Sequence, residues 1–422
     1  MPRIFRTASR FSATLLLTSA LVALTAGAGA TPFVADPGDT QDVVIDSLTT
    51  TSPDGDTLFY KHVEFTGSTL NKDEVVALLT PGTKPEDIVA LSRKAKVKHI
   101  SIPSVDVTVK KGGTVNLHDF TADDVDVGKV GAMAIGGIDV AAKTDQGDLA
   151  VKSGAIHLED LDYSAALAAN DVDKASRPRI GHVSWTALDV IAAEGKDSPG
   201  KTVHVSMDSL DARNVYDSGI IKTGSFAVKG LAIEPSAGDD LANALSPLGY
   251  TRLDIGVASS MSYDAGSSAF SLDDFTINGA KMGSVGITAK FGGIPPEVFN
   301  GDRATMFQSL AGGDVSALEI KFVNAGLVEK GIAFYAAQTG ATPEAVKKQW
   351  GDMAGQLLPA MLGGDPSSLK LAGEIQKFLA QPTSLTITAR PKAGAVKFMD
   401  LMQLADPTAI LGVISLNAIA NK

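Results

Sequence analysis

The 422-residue chain contains no cysteine. No disulfide can form, so the stability of the folded chain depends on the burial of apolar side chains. The absence also excludes a lipid anchor on a cysteine behind the apolar N-terminal segment. A chain of this length is sufficient for a large core or for two domains.

Basic residues and aromatic side chains are also scarce. The chain has 37 Lys and Arg residues against 48 Asp and Glu residues, and 6% of its residues are aromatic. The acidic balance argues against nucleic acid and against an anionic membrane surface as main partners, but it leaves an apolar ligand open. Two Trp and six Tyr residues are few for a carbohydrate site, which usually exposes aromatic rings.

The only long apolar run stands near the N-terminus. Three Arg residues precede "FSATLLLTSALVALTAG", and the small residues "AGA" end at Ala30. This order is typical of a secretory signal peptide, so we predict that residues 1–30 are cleaved near Ala30 and that residues 31–41 form a flexible leader. An uncleaved membrane anchor is the alternative. No later segment has eighteen consecutive apolar residues, so membrane contact of the mature protein is expected to be at most peripheral.

Export and composition together indicate a compartment. A cysteine-free, acidic chain rich in Ala and Gly fits the periplasm of a Gram-negative cell envelope. We therefore predict a periplasmic protein.

The common catalytic and nucleotide-binding motifs are missing from the sequence. There is no G-x-S-x-G, no G-x-x-x-x-G-K-[ST], no G-x-G-x-x-G after a strand and no H-E-x-x-H. We predict no catalytic residue, no metal site and no cofactor. The six His residues lie in predicted strands without metal-ligand spacing, at His62, His99, His118, His157, His182 and His204.

Three kinds of site remain open as alternatives. One is a zinc site assembled from distant strands. Another is a calcium site in "SPDGDT" or "DDVDVG", although neither segment completes a twelve-residue loop with its terminal Glu, and turn chemistry explains Asp-Gly equally well. The third is a hydrolase site built from carboxylates that are far apart in the sequence.

One phrase recurs along the chain. The segment "LHDFTADDVDVGKVGAMAIGG", which begins at Leu117, aligns without a gap on the segment that begins at Leu272. Shorter copies begin at Ile45, Leu158 and Met207, and their irregular spacing excludes a fixed-period solenoid. The aligned apolar positions of the two long copies include Leu117 with Leu272, Phe120 with Phe275, and Val130 with Val285.

The phrase predicts a strand, a β-bulge, a turn and a second strand. Apolar residues on the two sides of Asp273–Asp274 alternate in opposite registers, so one extra residue lies there. "NGAKMG" supplies turn residues, and residues 285–291 alternate strictly. Repeating this unit builds a long, twisted antiparallel sheet. The second position of each copy is polar, which is typical of a solvent-facing strand position: Asp46, His118, Glu159, Asp208 and Asp273.

The order of elements indicates an α+β fold. We predict a β-rich region at 42–295 with two short helices near 72–94, where Asn71 and Thr83 each have the capping-box spacing to a Glu. Residues 296–422 are expected to be helix-rich, with closing strands that continue the sheet. The predicted fold is thus a long twisted antiparallel sheet of repeated bulged hairpins with C-terminal helices packed on one face.

The richest apolar helix lies in the C-terminal region, where Val346, Trp350, Met353, Leu357 and Met361 recur at helical spacing. Such a stripe is usually plain core, but Met side chains also suit irregular apolar ligands. We therefore predict a hydrophobic groove as the candidate ligand site. Its expected residues are Phe334, Tyr335, Trp350, Met353, Leu357, Leu358 and Met361.

The segment Leu248–Pro295 carries a further pattern, with L-G-Y, alternating residues, Tyr-Asp, and paired strands with a Gly before the second. In this pattern the chain resembles the bacterial YdgA-like envelope proteins of unknown function and, more loosely, the AsmA-like elongated β-rich lipid-transfer proteins. The helix-rich last third and the cleavable signal depart from those groups. The resemblance implies an envelope location and contact with lipid, and it brings no catalytic residues.

Three functions follow as hypotheses. The first is a non-enzymatic periplasmic protein that binds or carries lipid or another hydrophobic ligand. The second is a structural or interaction protein of the envelope whose sheet edges pair with a protein partner. The third is a hydrolase with dispersed carboxylates.

Overall fold

The computed structural model describes residues 40–144, 147–168, 178–193, 201–300, 308–309, 312–403 and 407–422. The predicted signal peptide, residues 1–30, and nearly all of the predicted leader lie outside these residues.

Twenty strands form an antiparallel sheet, and helices are concentrated in the C-terminal part, so the predicted α+β class is confirmed. The strands are β1 Gln41–Ile45, β2 Leu48–Thr51, β3 Thr57–Tyr60, β4 Val63–Ser68, β5 Lys96–Thr108, β6 Gly113–Asp126, β7 Lys129–Ile135, β8 Gly137–Thr144, β9 Gly147–Ser153, β10 Ile156–Asp162, β11 Arg179–Ala193, β12 Thr202–Asp217, β13 Ile220–Glu234, β14 Leu253–Asp264, β15 Ala269–Gly279, β16 Gly283–Gly292, β17 Asp314–Asn324, β18 Ser384–Pro391, β19 Val396–Lys397 and β20 Ile414–Ala420. The described helices are α1 Lys72–Leu79, α2 Pro85–Lys94, α3 Ser164–Ala168, α4 Asp240–Leu245, α5 Glu297–Asn300, α6 Leu327–Thr339, α7 Pro343–Met361, α8 Pro366–Ala380, α9 Phe398–Gln403 and α10 Pro407–Val413.

The chain divides into two compact units, residues 1–213 and residues 214–422. The predicted ranges 42–295 and 296–422 describe element content rather than compact units, and they stay a prediction.

Unit 1 contains a closed apolar core. Strands β5 and β6 alternate between buried apolar and outward polar residues, with Val105 and Leu117 among the most buried. Helices α1 and α2 cover this face with Val75, Leu78 and partly buried neighbours, and Tyr163 precedes α3 in the same cluster. Alternation with one covered face is the pattern that stabilises an antiparallel sheet on one side.

The two short helices near 72–94 differ in how they begin. Asn71 caps α1: its side chain accepts from the Glu74 backbone N–H, and the Glu74 carboxylate accepts from the Asn71 backbone N–H. The predicted cap at Thr83 is wrong, because α2 begins after Lys84, with Pro85 in its first turn and without a side-chain cap. The Thr83 hydroxyl instead donates to the carbonyl oxygens of Ala77 and Thr80 and closes the turn after α1.

In unit 1 a residue in the left-handed conformation lies where the long strand β6 changes partner. Strand β6 pairs with β8 through residues 113–118 and with β7 through residues 121–126, and Asp119 between them has a φ of 52°. A side chain in this left-handed conformation needs space on the neighbouring strand. Gly136 provides it, since a Cβ built there would lie 2.9 Å from the Asp119 Cβ.

The same arrangement recurs in the shorter copy of the repeated phrase. Asp160 has a φ of 53°, and a Cβ at Gly181 of the adjacent strand β11 would lie 2.8 Å from the Asp160 Cβ. Asp119 and Asp160 occupy the same position in their copies, directly after His118 and Glu159. Both copies therefore place a left-handed Asp next to a glycine of the adjoining chain, and the pairing register stays the same on both sides of each Asp, so no extra residue is inserted there.

Unit 2 contains a ladder of seven antiparallel strands in the order β13, β14, β15, β16, β17, β18 and β20. The register of β15 shifts between Leu272 and Phe275 against β16 and between the same residues against β14. The bulge predicted at Asp273–Asp274 is confirmed. It returns the apolar side chains to one face on both sides of the bulge.

Helix α8 packs on one face of this ladder, as predicted for the C-terminal helices. The Phe378 ring of α8 meets the Phe322 ring of β17 edge to face, with 5.7 Å between centroids. The Glu374 carboxylate of α8 accepts from the Ala420 backbone N–H of β20. Apolar contact and a hydrogen bond thus fix α8 over the strands β17, β18 and β20.

Candidate functional site

One face of the seven-strand ladder is apolar along two rows of directly paired residues. The first row runs Phe226, Ser259, Phe275, Ile287, Ile320, Ile387 and Ala418, and the second runs Val228, Val257, Ile277, Val285, Phe322, Leu385 and Ala420. We call these two rows the apolar sheet face. At the usual spacing between strands, each row extends about 29 Å across the sheet.

The opposite face of the same strands is polar. On β16 the residues between those of the apolar rows are Ser284, Gly286, Thr288 and Lys290, and on β17 they include Glu319 and Lys321. Val323 of β17 is an apolar exception on this polar face, where it pairs with Ser284. The two faces therefore differ as the faces of a one-sided antiparallel sheet should, and the apolar one needs cover.

The cover on the apolar sheet face is incomplete. Phe378 of α8 reaches Phe322, and the Phe299 ring of α5 reaches Tyr263 with 4.6 Å between centroids, beyond the rows. Between these contacts Ile277 is 42% exposed, Val285 39%, Ile320 38% and Phe226 38%. Contiguous exposed apolar surface of this kind typically marks a binding site or an interface.

The residues of the predicted helical groove fall into two groups, one in a small core and one exposed. The rings of Tyr335 and Trp350 lie 5.5 Å apart, and both pack against the small core formed by Ile332, Ala336 and Val346. These residues join α6 to α7 as ordinary core. Phe334 and Leu358 are half-buried.

The other three predicted residues, Met353, Leu357 and Met361, form an exposed line on α7 that we call the helix stripe. Their exposed fractions are 45%, 51% and 59%. Helix α6 has 13 residues and α7 has 19, so the last turns of α7 extend about 9 Å beyond the shorter helix. The core of α6 and α7 covers only the first half of the apolar stripe.

A shallow depression of about 530 Å³ follows the outer side of α7. Its described lining comes from that single helix and mixes the apolar Met353 and Leu357 with the ion pair of Lys348 and Asp352. The seven predicted residues therefore do not converge on one enclosed groove in the described structure.

The apolar sheet face was missed as a candidate site, although its sequence signal was present. Val285 and Ile287 were recognised as alternating strand residues, and Ile277 as part of the bulged strand. Alternation predicts which residues share a face, but it does not predict whether a helix covers that face. Coverage depends on where α8 packs, far along the chain.

Basic groups lie at the edge of the apolar sheet face where β15 turns into β16. The Lys330 ammonium of α6 stands 3.5 Å from the centroid of the Tyr250 ring, and the Tyr250 hydroxyl donates to the Lys281 carbonyl oxygen at 2.7 Å. Lys281 lies in the turn between β15 and β16. Close by in the sequence, Arg252 forms ion pairs with both Asp254 and Glu234, so those two carboxylates share one cation.

Four His side chains on the polar face of unit 1 contact carboxylates of neighbouring strands. The pairs are His99 with Asp123, His118 with Asp139, His182 with Asp211, and His204 with Asp189, at 2.6 to 3.0 Å. The hydrogen bond from His182 holds the pKa of Asp211 below its usual value. Among the described residues, no group of three or more His, Asp or Glu side chains is arranged to hold a metal ion.

The most buried of these residues is His182. Its Nδ1 atom lies 3.3 Å from Glu159 but is not aligned for a hydrogen bond with it, while its Nε2 atom bonds Asp211. The aligned bond is the stronger contact, since hydrogen-bond strength falls steeply with poor angle. A single oriented His between two carboxylates stabilises the strand pairing on the sheet surface.

The two segments considered for calcium use their carboxylates in other ways. In "SPDGDT" the buried Asp56 side chain accepts from the Lys110 backbone N–H, and the Ser52 backbone N–H donates to the Asp56 carbonyl oxygen. In "DDVDVG" Asp123 bonds His99 and Asp126 pairs with Lys96. Both segments are accounted for by turn and strand contacts.

Comparison with known families gives one match. Residues 276–421 match the model of a protein family described as "Uncharacterized protein". The matched segment covers less than half of the chain and contains α6, α7, α8 and the strands from β16 to β20. No curated protein matches the chain. In the part of the chain that the structure describes, no helix is both long and apolar enough to cross a membrane.

Proposed function

We propose that this protein binds a hydrophobic ligand, such as a lipid chain, on the apolar sheet face of unit 2, without catalysing a reaction. The carrying observation is the exposure of Ile277, Val285 and Ile320 on neighbouring strands of one apolar face. Directly paired apolar side chains make a continuous surface, which suits an extended apolar chain better than a compact polar substrate.

The size of the surface is adequate for such binding. Covering about 300 Å² of apolar surface contributes about 7 kcal/mol at 25 cal/mol per Å². Ordering a chain and losing its free motion offsets several kcal/mol of this. The balance corresponds to weak, reversible binding, as a carrier requires.

The cell envelope is the proposed place of action. The N-terminal sequence has the order of a secretory signal, and the segment Leu248–Pro295, which supplies three strands of the apolar sheet face, carries the resemblance to YdgA-like and AsmA-like envelope proteins. The matching family model brings no activity in its description. These observations, together with the exposed apolar face, support a periplasmic carrier of lipid.

Native mass spectrometry with organic extraction tests the proposal, on protein purified from the periplasm of its own host. We expect a bound lipid at a defined stoichiometry. Val285→Asp should abolish it, because a carboxylate on this face cannot be covered by an apolar chain. Val323→Asp is the matched control, since Val323 is 37% exposed on the polar face and Val285 is 39% exposed on the apolar one. Loss of lipid from both variants, or from neither, contradicts the proposed face.

A protein partner at the helix stripe is the second candidate function. Met353, Leu357 and Met361 are more exposed than any residue of the apolar sheet face. Leu357→Asp distinguishes the two, because it should release a protein partner and leave lipid binding intact. An apo mass for the native protein, together with a co-purifying protein lost from Leu357→Asp, would favour this candidate over the lipid carrier.

A further inference from the structure

The end of the apolar sheet face at the turn between β15 and β16 combines an aromatic ring with two lysines. Tyr250 is 8% exposed and connects them: its ring carries the Lys330 ammonium, and its hydroxyl is bonded to the Lys281 backbone. We call Lys281 and Lys330 the lysine pair. The contact of an ammonium with a ring face fixes the position of a side chain that is otherwise free to rotate.

Helix α6 is tied to the same turn. The Ala325 backbone N–H donates to the Met282 carbonyl oxygen, and α6 begins two residues later. Lys330 is thereby held beside the β15–β16 turn rather than projecting freely from a helix. The turn itself is narrow, since Gly279 pairs with Gly283 across it.

The distance from the turn to the exposed apolar residues is short. Ile277 pairs directly with Val285, and each lies two residues from the paired glycines, which is about 7 Å along a strand. A lipid chain reaches about 15 Å, half the thickness of a bilayer hydrocarbon core. A chain that starts at the turn can therefore lie across both rows of the apolar sheet face.

Charge makes the end distinctive in an acidic protein. Within the described residues neither Lys281 nor Lys330 forms an ion pair, whereas Arg252 pairs with both Glu234 and Asp254, and Glu329 accepts a hydrogen bond from the Asn324 amide. Two lysines without a carboxylate partner beside an apolar surface favour an oxyanion at this end.

We propose that the ligand is an anionic amphiphile, with its carboxylate or phosphate headgroup on the lysine pair and its chain across the two apolar rows. This inference rests on the proposed function. Headgroup recognition gives the face a direction, so that the chain enters with its polar end at the β15–β16 turn. Carboxylate and phosphate share the chemistry of an oxyanion that accepts hydrogen bonds from ammonium groups.

The test compares three probes with the same chain: dodecanoate, dodecyl phosphate and dodecanol, titrated by calorimetry at pH 8 into the full mature protein. We expect one or both anions to bind about tenfold tighter than dodecanol, as a charge-assisted hydrogen bond of modest strength implies. The anion that gains more identifies the headgroup. The double variant Lys281→Gln, Lys330→Gln should remove this preference and leave dodecanol binding unchanged.

Two further variants serve as controls. Lys290→Gln removes a lysine from the polar face of β16 and should keep the preference, and Lys281→Arg, Lys330→Arg should retain it because the charges remain. If no probe binds, the proposed function fails together with the inference. If all three probes bind alike, or the Gln variant keeps the preference for anions, the headgroup site is wrong and the apolar binding face stands.

Discussion

Aligned positions of the repeated phrase are buried in unit 1 and exposed in unit 2. Val130 of unit 1 is 4% exposed and its counterpart Val285 of unit 2 is 39% exposed, while Ala122 is buried and its counterpart Ile277 is exposed. Both copies form a strand and its hairpin partner, and the register shifts within the strand of unit 2 but not within that of unit 1. The same local pattern therefore produces the same hairpin, and the cover supplied by other elements decides what becomes core.

The difference lies in the elements that cover each sheet face. In unit 1, α1 and α2 lie directly between strands in sequence and close the core over Val130. In unit 2 the covering helix α8 lies over the far end of the ladder, where Phe378 meets Phe322. Unit 2 also carries the larger side chain, Ile277, where unit 1 has Ala122. A larger apolar group in a less covered place supports the proposed binding face.

The largest expected effect separates Val130 from Val285. Val130→Asp should lower the free energy of unfolding by about 4 kcal/mol or more, because a carboxylate would be buried without a partner. Val285→Asp should cost less than about 1 kcal/mol, because water reaches that position. Urea denaturation of the two variants measures the contrast. Equal losses would mean that the two faces are equally covered in solution.

Alkaline pH should weaken unit 1 through Tyr60. Burial raises the pKa of Tyr60 to about 12, and its hydroxyl donates to the Leu79 carbonyl oxygen at the end of α1. The phenol of the unfolded chain ionises near pH 10. The contribution of Tyr60 to the free energy of unfolding is therefore fully present below pH 10, and the free energy falls by about 2 to 3 kcal/mol as the pH rises towards 12. Urea midpoints measured between pH 9 and pH 12 check this.

The matched variant for the alkaline effect is Tyr60→Phe. It removes the titrating group and the bond to Leu79, so it should be less stable near neutral pH and lose less stability above pH 10. A pH slope that survives unchanged in Tyr60→Phe would assign the alkaline loss to other groups.

A smaller effect should come from the left-handed Asp160 of β10. Gly181→Ala places a Cβ 2.8 Å from the Asp160 Cβ, closer than real contacts allow, so the two strands must shift. We expect the free energy of unfolding to fall by about 1 to 3 kcal/mol. Gly286→Ala in β16 is the control, because its nearest neighbour, the Thr276 hydroxyl oxygen, would be 3.5 Å away, an ordinary contact. If Gly181→Ala is as mild as the control, the left-handed conformation of Asp160 does not depend on the glycine.

Local features were readable from the sequence where one short segment contains all the determinants. The bulge at Asp273–Asp274 and the cap at Asn71 were predicted because registers and capping pairs lie within a few residues. The Thr83 cap failed although its spacing was right, because the helix begins later, at Pro85, and the Thr83 hydroxyl donates to the carbonyl oxygens of Ala77 and Thr80 in the preceding turn. Pattern alone cannot rank competing hydrogen-bond partners.

The candidate site depended on contacts between distant segments and was only partly readable. Apolar spacing identified the stripe on α7. It could not show that α6 packs against this stripe only as far as Trp350 and that Leu357 stays exposed. Likewise, alternation in β16 identified Val285 without showing where α8 would pack. The length of one helix and the position of another decide both surfaces, and neither is encoded in the segment that is exposed.

The smallest expected effect comes from the exposed end of the apolar stripe on α7. The stripe has one buried and one exposed end, just as the aligned residues of the two units are buried in one unit and exposed in the other. Leu357→Ala should change the free energy of unfolding by less than about 0.5 kcal/mol, because the side chain is 51% exposed and leaves no cavity. Val346→Ala, at the start of the same stripe, should cost about 2 kcal/mol, because Val346 is fully buried against Ile332 and Ala336. Thermal unfolding of the two variants resolves this contrast. A substantial loss in Leu357→Ala would place that residue in a core, and the helix stripe would then lose its claim as a docking surface while the exposed rows of the sheet keep theirs.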